Sequence, residues 1–360
     1  MALADTVPAY DPARDPLKLW RRATLIALAA ALGVATIFAL GAGALHMPAE
    51  RVIAILLDGL GIDTGANIEA YEAAALMNVR LPRILLAIAC GATLGVAGAS
   101  LQALFRNPLA DPTLIGVADG AACGAVAWIV LSGFGLAAVV GPWGIVLVAF
   151  IGGLLATAGV MVVARGEGRI DIATLLLAGL AMKALAGALL GYLIFLANDV
   201  QMRSLTFWLL GSLGGATWAA IVPAAALMGL AIALLVPLAR PFDTLALGEA
   251  EAGHLGVRVE RVKRISVIAV ALGVGAGTAL TGVIGFVGLV APHIVRLIGG
   301  ADHRFVLPGS ALLGALLIVG ADTIARVAVA PAELPIGVVT SAIGAPFFFW
   351  LLRSRGHAAR

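Results

Sequence analysis

From Ile84 to Phe105 the chain carries no charged residue, and that stretch decides which solvent it folds in. At 1.5 Å per residue, a helix of this length crosses a hydrocarbon core of roughly 30 Å. Arg80 and Arg83 precede it and Asn107-Pro108 follows it, so both ends are aqueous and the proline stops the helix. Gly91, Gly95, Gly98, Ala99 and Ser100 lie inside it. Such small residues let a second helix approach closely, which is how helices associate where lipid supplies no hydrophobic drive.

Further apolar runs fall at about 23–45, 113–133, 139–164, 172–197, 217–239, 265–285, 286–298, 305–325 and 335–352. With 84–105 they predict an all-α polytopic membrane protein of about ten transmembrane helices. The region 265–298 is split only by Gly282, Gly285 and Gly288, and it admits either two spans or one kinked helix with a short return. The run 23–45 exceeds a signal-peptide core of roughly 7–15 residues, so it is expected to be a retained first helix. A segment 1–22, a single membrane domain 23–352 and a tail 353–360 follow. Hydrophobic residues make up 62% and charged residues 12%, about half the charged share of a soluble domain. The net charge of +3 gives no reason to expect a nucleic-acid partner.

Placing both termini in the cytoplasm puts 17 of the 23 Lys and Arg inside and five outside (Arg51, Arg80, Arg83, Arg203, Arg326), with Lys183 in a span. That ratio favours N-in, C-in. A faint repeat at an offset of 184 places Arg80, Gly91, Gly98 and Pro108 on Arg264, Gly275, Gly282 and Pro292, as inverted transporter halves would.

The absences are equally informative. No G-x-x-x-x-G-K-[ST] occurs and no lysine ends a glycine loop, so the chain has no P-loop of its own. Cys90 and Cys123 lie in apolar spans as packing residues, no Cys/His cluster has zinc spacing, and the five histidines are scattered. No nucleophile–base set suggests catalysis: the expected work is transport, with no enzyme activity and no cofactor or metal bound by this chain. An ion-coupled transporter would need intramembrane carboxylates, and the spans offer little beyond Asp171 and Asp322 near their ends.

Several residues admit two readings. Arg80, Arg83 and Arg326 at external helix ends are either receptors for acidic groups of a docking protein or interfacial anchors. The polar segment from Asp243 to Arg264 is either a solvated loop or a short amphipathic cytoplasmic helix, with Leu245, Leu247, Ala250, His254 and Leu255 near helical spacing. Lys183, about 18 Å into its span, either faces a wet pathway or pairs with a neighbour. Arg203 with Phe207, Trp208 and Trp218 suits an anionic, flat cargo, or forms an aromatic belt. Asn107-Pro108-Leu109 terminates a helix, and His293 is a packing or capping residue.

Four motifs carry a resemblance over nearly the whole chain from about residue 25: RLPRILLAIACGATLGVAGASLQALFRNPLADPTLIGVADG from Arg80, LALGEAEAGHLGV at 245–257, GFVGLVAPHIVRLIGGADHR at 285–304, and ADTIARVAVAPAELPIGVVTSAIGAPFFFWLL at 321–352. The chain resembles the membrane-spanning subunits of type II ABC importers for ferric siderophores, haem and cobalamin. The resemblance implies a homodimer around a central pathway in the bacterial inner membrane. Two ATP-binding subunits would sit below it, where ATP and Mg bind, and a periplasmic substrate-binding protein above. It further implies docking at Arg80, Arg83 and Arg326, and a cytoplasmic gate at Asn107 and Leu109. A coupling helix at about 243–258 would use Leu245, Leu247, Gly248, Glu249, Ala250, His254 and Leu255. The pathway would be lined by Arg203, Lys183, Phe207 and Trp208. Lys183 departs from the small or neutral residue expected at its position. The run LTFWLLGSLGGATW at 205–218 is most similar to haem permeases, with siderophore or cobalamin as the alternative cargo.

Overall fold

The computed structural model describes residues 16–43, 45–131, 141–166, 169–330 and 332–358. Residues 1–15 of the expected N-terminal segment, the junction 132–140 between two expected spans, and tail residues 359–360 lie outside the described residues.

Each of the ten apolar runs holds a helix. Among the described residues, seven helices are long and apolar enough to cross a membrane. These are α1 (Pro16–Gly41), α3 (Ala70–Leu104), α5 (Gly144–Val163), α6 (Ile172–Leu196), α8 (Trp218–Leu235), α11 (Val259–Thr281) and α13 (His303–Val327). The other three, α4 (Val117–Leu131), α12 (Val287–Gly299) and the apolar part of α14 (Ile336–Ala358), are shorter. A 13-residue helix such as α12 spans only about 20 Å. The break that isolates it sits where the glycines pointed. Gly282 at φ 70° ends α11, and Phe286 at φ 67° starts α12, a conformation that only glycine adopts without strain.

Three short elements were not expected: α2 (Ala49–Asp58), α7 (Asp199–Leu210) and a two-stranded hairpin of β1 (Arg165–Gly166) and β2 (Arg169–Ile170). The polar 243–258 segment is not one helix. It forms α9 (Ala239–Leu245) and α10 (Glu249–His254), separated at Gly248, whose φ is 129°. The described part of α1 runs from Pro16, so Lys18, Arg21 and Arg22 of the expected segment 1–22 lie on this helix. Arg21 pairs with Asp302 at 2.7 Å and donates to Gly299 O, tying α1 to the α12–α13 corner.

Helix α3 is the central element, packed on α13, α8, α11 and α12. Its glycine face does this. A Cβ on Gly91 would meet the Gly314 carbonyl, one on Gly95 the Ser310 carbonyl and one on Gly98 the Gly288 carbonyl, each well inside contact distance. At the 184-residue offset, Gly91 and Gly275 both lie inside long helices, whereas Gly98 lies within α3 and Gly282 terminates α11. Two main apolar clusters form the core: one around Leu101, Phe105, Ile170, Phe242 and Phe305, the other around Leu40, Ile84, Met228 and Ile336. They gather at opposite ends of α3.

Candidate functional site

The three arginines expected at an external docking face are not free. A π-turn, Leu76–Arg80, leads into the regular part of α3 and brings Arg80 and Arg83 inward. Arg80, Arg83 and Arg326 are each more than nine-tenths buried. Asp322, 1% exposed, accepts from Arg83 Nε at 2.9 Å through Oδ1 and from Arg326 Nε at 3.0 Å through Oδ2. Arg83 Nη1 also takes both oxygens of Glu333, at 3.0 and 2.9 Å. Arg80 donates to the carbonyls of Leu40, Gly41 and Leu45, and Arg326 to those of Ala39 and Ala42. Arg80 and Arg326 therefore satisfy orphan carbonyls at the end of α1, and Asp322 and Glu333 offset the charges of Arg83 and Arg326. Glu333, with 46% of its side chain exposed, carries this network to the surface.

At the other end, the coupling expectation divides. Leu245 is buried in the core against the expectation: it is the last residue of α9, and the exposed residues follow it. Leu247 and Leu255 are about two-thirds exposed, and Ala250 and His254 are exposed with them. Glu249 is bound on its own chain. Lys263, 3% exposed, donates to Glu249 at 2.7 Å, Glu260 at 3.2 Å and the Ile170 carbonyl at 2.7 Å. One ammonium thus joins α10, α11 and the strand that leads directly into α6. Lys263→Met is expected to leave two carboxylates facing each other without a cation and to loosen α10. The stability change is about 1 kcal/mol, because both carboxylates are partly solvated. Limited proteolysis should show faster cleavage in 246–258, and an unchanged cleavage rate would refute the pin.

The remaining expected residues lie on α6, α7 and the end of α3. Lys183 is exposed on α6, forms no ion pair among the described residues, and lies within electrostatic range of Asp111 and Asp119. Asn198 and Gln201 make a capping box at the start of α7, which sets the helix that follows. Arg203 and Phe207, one turn apart, share its exposed face. Trp208 instead turns partly inward to pack near Ala121 and Ala149, and Trp218 donates to the Met77 carbonyl at 2.9 Å. Asn107 is exposed, and its side chain accepts from Leu109 N–H at 2.9 Å, closing the turn after α3. His293 is buried and packs edge-on against Phe347.

The FecCD transport family matches residues 31–354, almost the whole described chain. The chain belongs to the FecCD transport family. It is a multi-pass membrane permease of the ABC importer class. It is 45% identical over 277 residues to the hemin transport system permease protein HmuU of Yersinia pestis, covering 77% of this chain and 82% of that one. It is also 43% identical over 277 residues to the cobalamin import system permease protein BtuC of Halobacterium salinarum, covering 77% and 73%. Against the vitamin B12 import system permease protein BtuC of Vibrio cholerae the figures are 41% over 301 residues, covering 84% and 89%. Among solved structures, an ABC transporter assigned to the metal-chelate type, in an inward-facing conformation, matches with a TM-score of 0.79 and 30% identity over 92% of this chain and 98% of that one.

In this FecCD permease, sequence reasoning missed Glu333 and Lys263 as members of the two end networks. It noted Asp322 only as a carboxylate near a span end. A signal for Asp322 existed: it stands four residues before Arg326 in one helix, where the two side chains meet.

Proposed function

We propose that this FecCD permease carries haem inward across the bacterial inner membrane. In this reading two copies form the pathway, separate ATP-binding subunits supply the energy, and a periplasmic binding protein delivers the cargo. Both termini lie in the cytoplasm, and the dimer alternates between outward- and inward-open states as those partners engage. The observation that carries the cargo is the exposed face of α7, where Arg203 and Phe207 offer a cation for a propionate and a flat apolar surface for a porphyrin. The 45% identity to a hemin permease supports it. Lys183 would meet the same anion deeper in the membrane. Leu247, Ala250, His254 and Leu255 form the exposed knob for the ATP-binding subunit, and Asn107 with Leu109 the inner gate. Docking would use the arginine network through its exposed member, Glu333, and the rim around it.

Cobalamin is the second reading, because relatives named for cobalamin are almost as similar; a ferric siderophore is the third. Ion-coupled transport is disfavoured: Asp322 is held between two arginines and Asp171 is engaged by Thr174 N–H and hydroxyl.

The deciding measurement reconstitutes the chain with its ATP-binding and substrate-binding partners and compares ATP-driven uptake of haem, a ferric siderophore and cobalamin. Haem should be preferred, and Arg203→Ala should slow its uptake about tenfold, the loss of one charge-assisted bond. Uptake of cobalamin but not haem would overturn the cargo.

A further inference from the structure

A second basic site lies where α3 and α12 end and α13 begins. A cleft of about 260 Å³ opens there, lined by Gln102, Arg106, Phe242, Arg296 and His303 among others. Its charges are incompletely matched. Arg296 is partly buried, and among the described residues its guanidinium meets no carboxylate. Its bond is to the neutral Gln102 Oε1, at 2.5 Å. Gln102 is itself 3% exposed, and its amide nitrogen donates to the Ala110 and Gly288 carbonyls, which keeps Oε1 turned to the arginine. Arg106, exposed at the rim with φ 49°, adds a second cation that pairs with no carboxylate among the described residues.

His303 completes the set. It is 6% exposed, and its Nδ1 lies 2.6 Å from Asp243 Oδ1, the same oxygen that accepts from the His303 backbone N–H at 3.0 Å. A carboxylate only accepts, so this contact assigns the Nδ1 proton. Nε2 is then left buried with no hydrogen-bond partner. A buried polar atom without a partner is costly, and burial beside Arg296 favours the neutral ring, so Nε2 is an acceptor that awaits a donor. Asp243, engaged by His303, is the carboxylate in contact with the set.

We propose that this cleft binds a phosphate group, held by Arg296 and Arg106, with a hydroxyl of the ligand donating to Nε2 of His303. Guanidinium forks are donor-only groups suited to a tetrahedral oxyanion, phosphate carries acceptors enough for both, and a phosphate hydroxyl or a headgroup glycerol hydroxyl supplies the donor that Nε2 lacks. The cleft sits at the level where spans end, and Leu297 and Ile298, the two residues after Arg296, are exposed and apolar. A basic pocket between helix ends with apolar flanks suits the headgroup phosphate of an anionic lipid. A soluble phosphate offers the same chemistry, and the two sources separate experimentally.

The full-length chain in nanodiscs of phosphatidylcholine containing phosphatidylglycerol is released into detergent, and retained lipid is counted by native mass spectrometry. A parallel arm titrates inorganic phosphate against sodium chloride of matched ionic strength and follows the melting temperature. Wild type should retain phosphatidylglycerol about tenfold better than Arg106→Ala or Arg296→Gln. Arg296→Lys should restore part of the difference, and Arg165→Ala, an equal charge removed elsewhere, should retain lipid as wild type does. Arg106 is exposed, so its variant keeps the fold readable if Arg296→Gln is unstable. A phosphate-specific rise in melting temperature that both variants abolish, without lipid retention, assigns the site to a soluble phosphate. Equal lipid retention in wild type, Arg106→Ala and Arg296→Gln, with no phosphate-specific stabilisation, overturns the proposal.

Discussion

Asp322→Asn is expected to cost about 3–5 kcal/mol, the range for removing one partner from a buried ion pair. The side chain is 1% exposed and accepts from two arginines that are themselves over nine-tenths buried. Asparagine keeps the shape but removes the charge, and its amide can turn a donor toward a guanidinium that has none to accept it. Arg83 retains Glu333, which is nearly half exposed and therefore a weaker counter-ion. Arg326 loses its carboxylate outright and keeps the Ala39 and Ala42 carbonyls. Fluorescence-detected size exclusion after a heating series would read the change as a fall of many degrees in melting temperature. Glu333→Gln should shift it far less. A melting temperature for Asp322→Asn within a degree of wild type would show that the network adds little to the fold.

Gly98→Val carries the second large effect. A Cβ at Gly98 would fall on the Gly288 carbonyl, which is backbone and cannot rotate away, so α3 and α12 must separate. Overpacking a tight contact costs about 1–3 kcal/mol, and backbone against backbone lies at or above the upper end. Separation also opens the neighbouring contacts of Gly91 with Gly314 and Gly95 with Ser310. The control is Gly187→Ala on α6, whose added Cβ meets nothing within 4 Å. That change should be neutral or stabilising by roughly 0.5–1 kcal/mol, the helix preference of alanine over glycine. If both variants yield the same amount of monodisperse protein in detergent, the glycine face of α3 is not a packing device.

The close approach along α3 was readable in advance because small residues at helical spacing have one physical use in lipid. So was the break near Gly282, since nothing else interrupts that apolar run. The arginine network was not. Arg83 meets its carboxylates 239 and 250 positions away, and a hydropathy reading sees charges at a helix end without seeing what folds against them. Leu245 misled for another reason. Helical spacing presumes one uninterrupted helix, but α9 ends at Leu245 and α10 starts only at Glu249, after Gly248, so Leu247 lies in the turn between them. Trp208 and Phe207 looked alike as aromatics. Only the orientation of α7, set by its capping box, turns one in and leaves the other out.

The distance in sequence between Arg83 and its carboxylates has a consequence for biogenesis. When α3 first leaves the ribosome, Asp322 and Glu333 have not yet been synthesised. Arg83 therefore gains its counter-charges only once the C-terminal helices have been made. A chain cut before Asp322 would lack both carboxylate partners of Arg83.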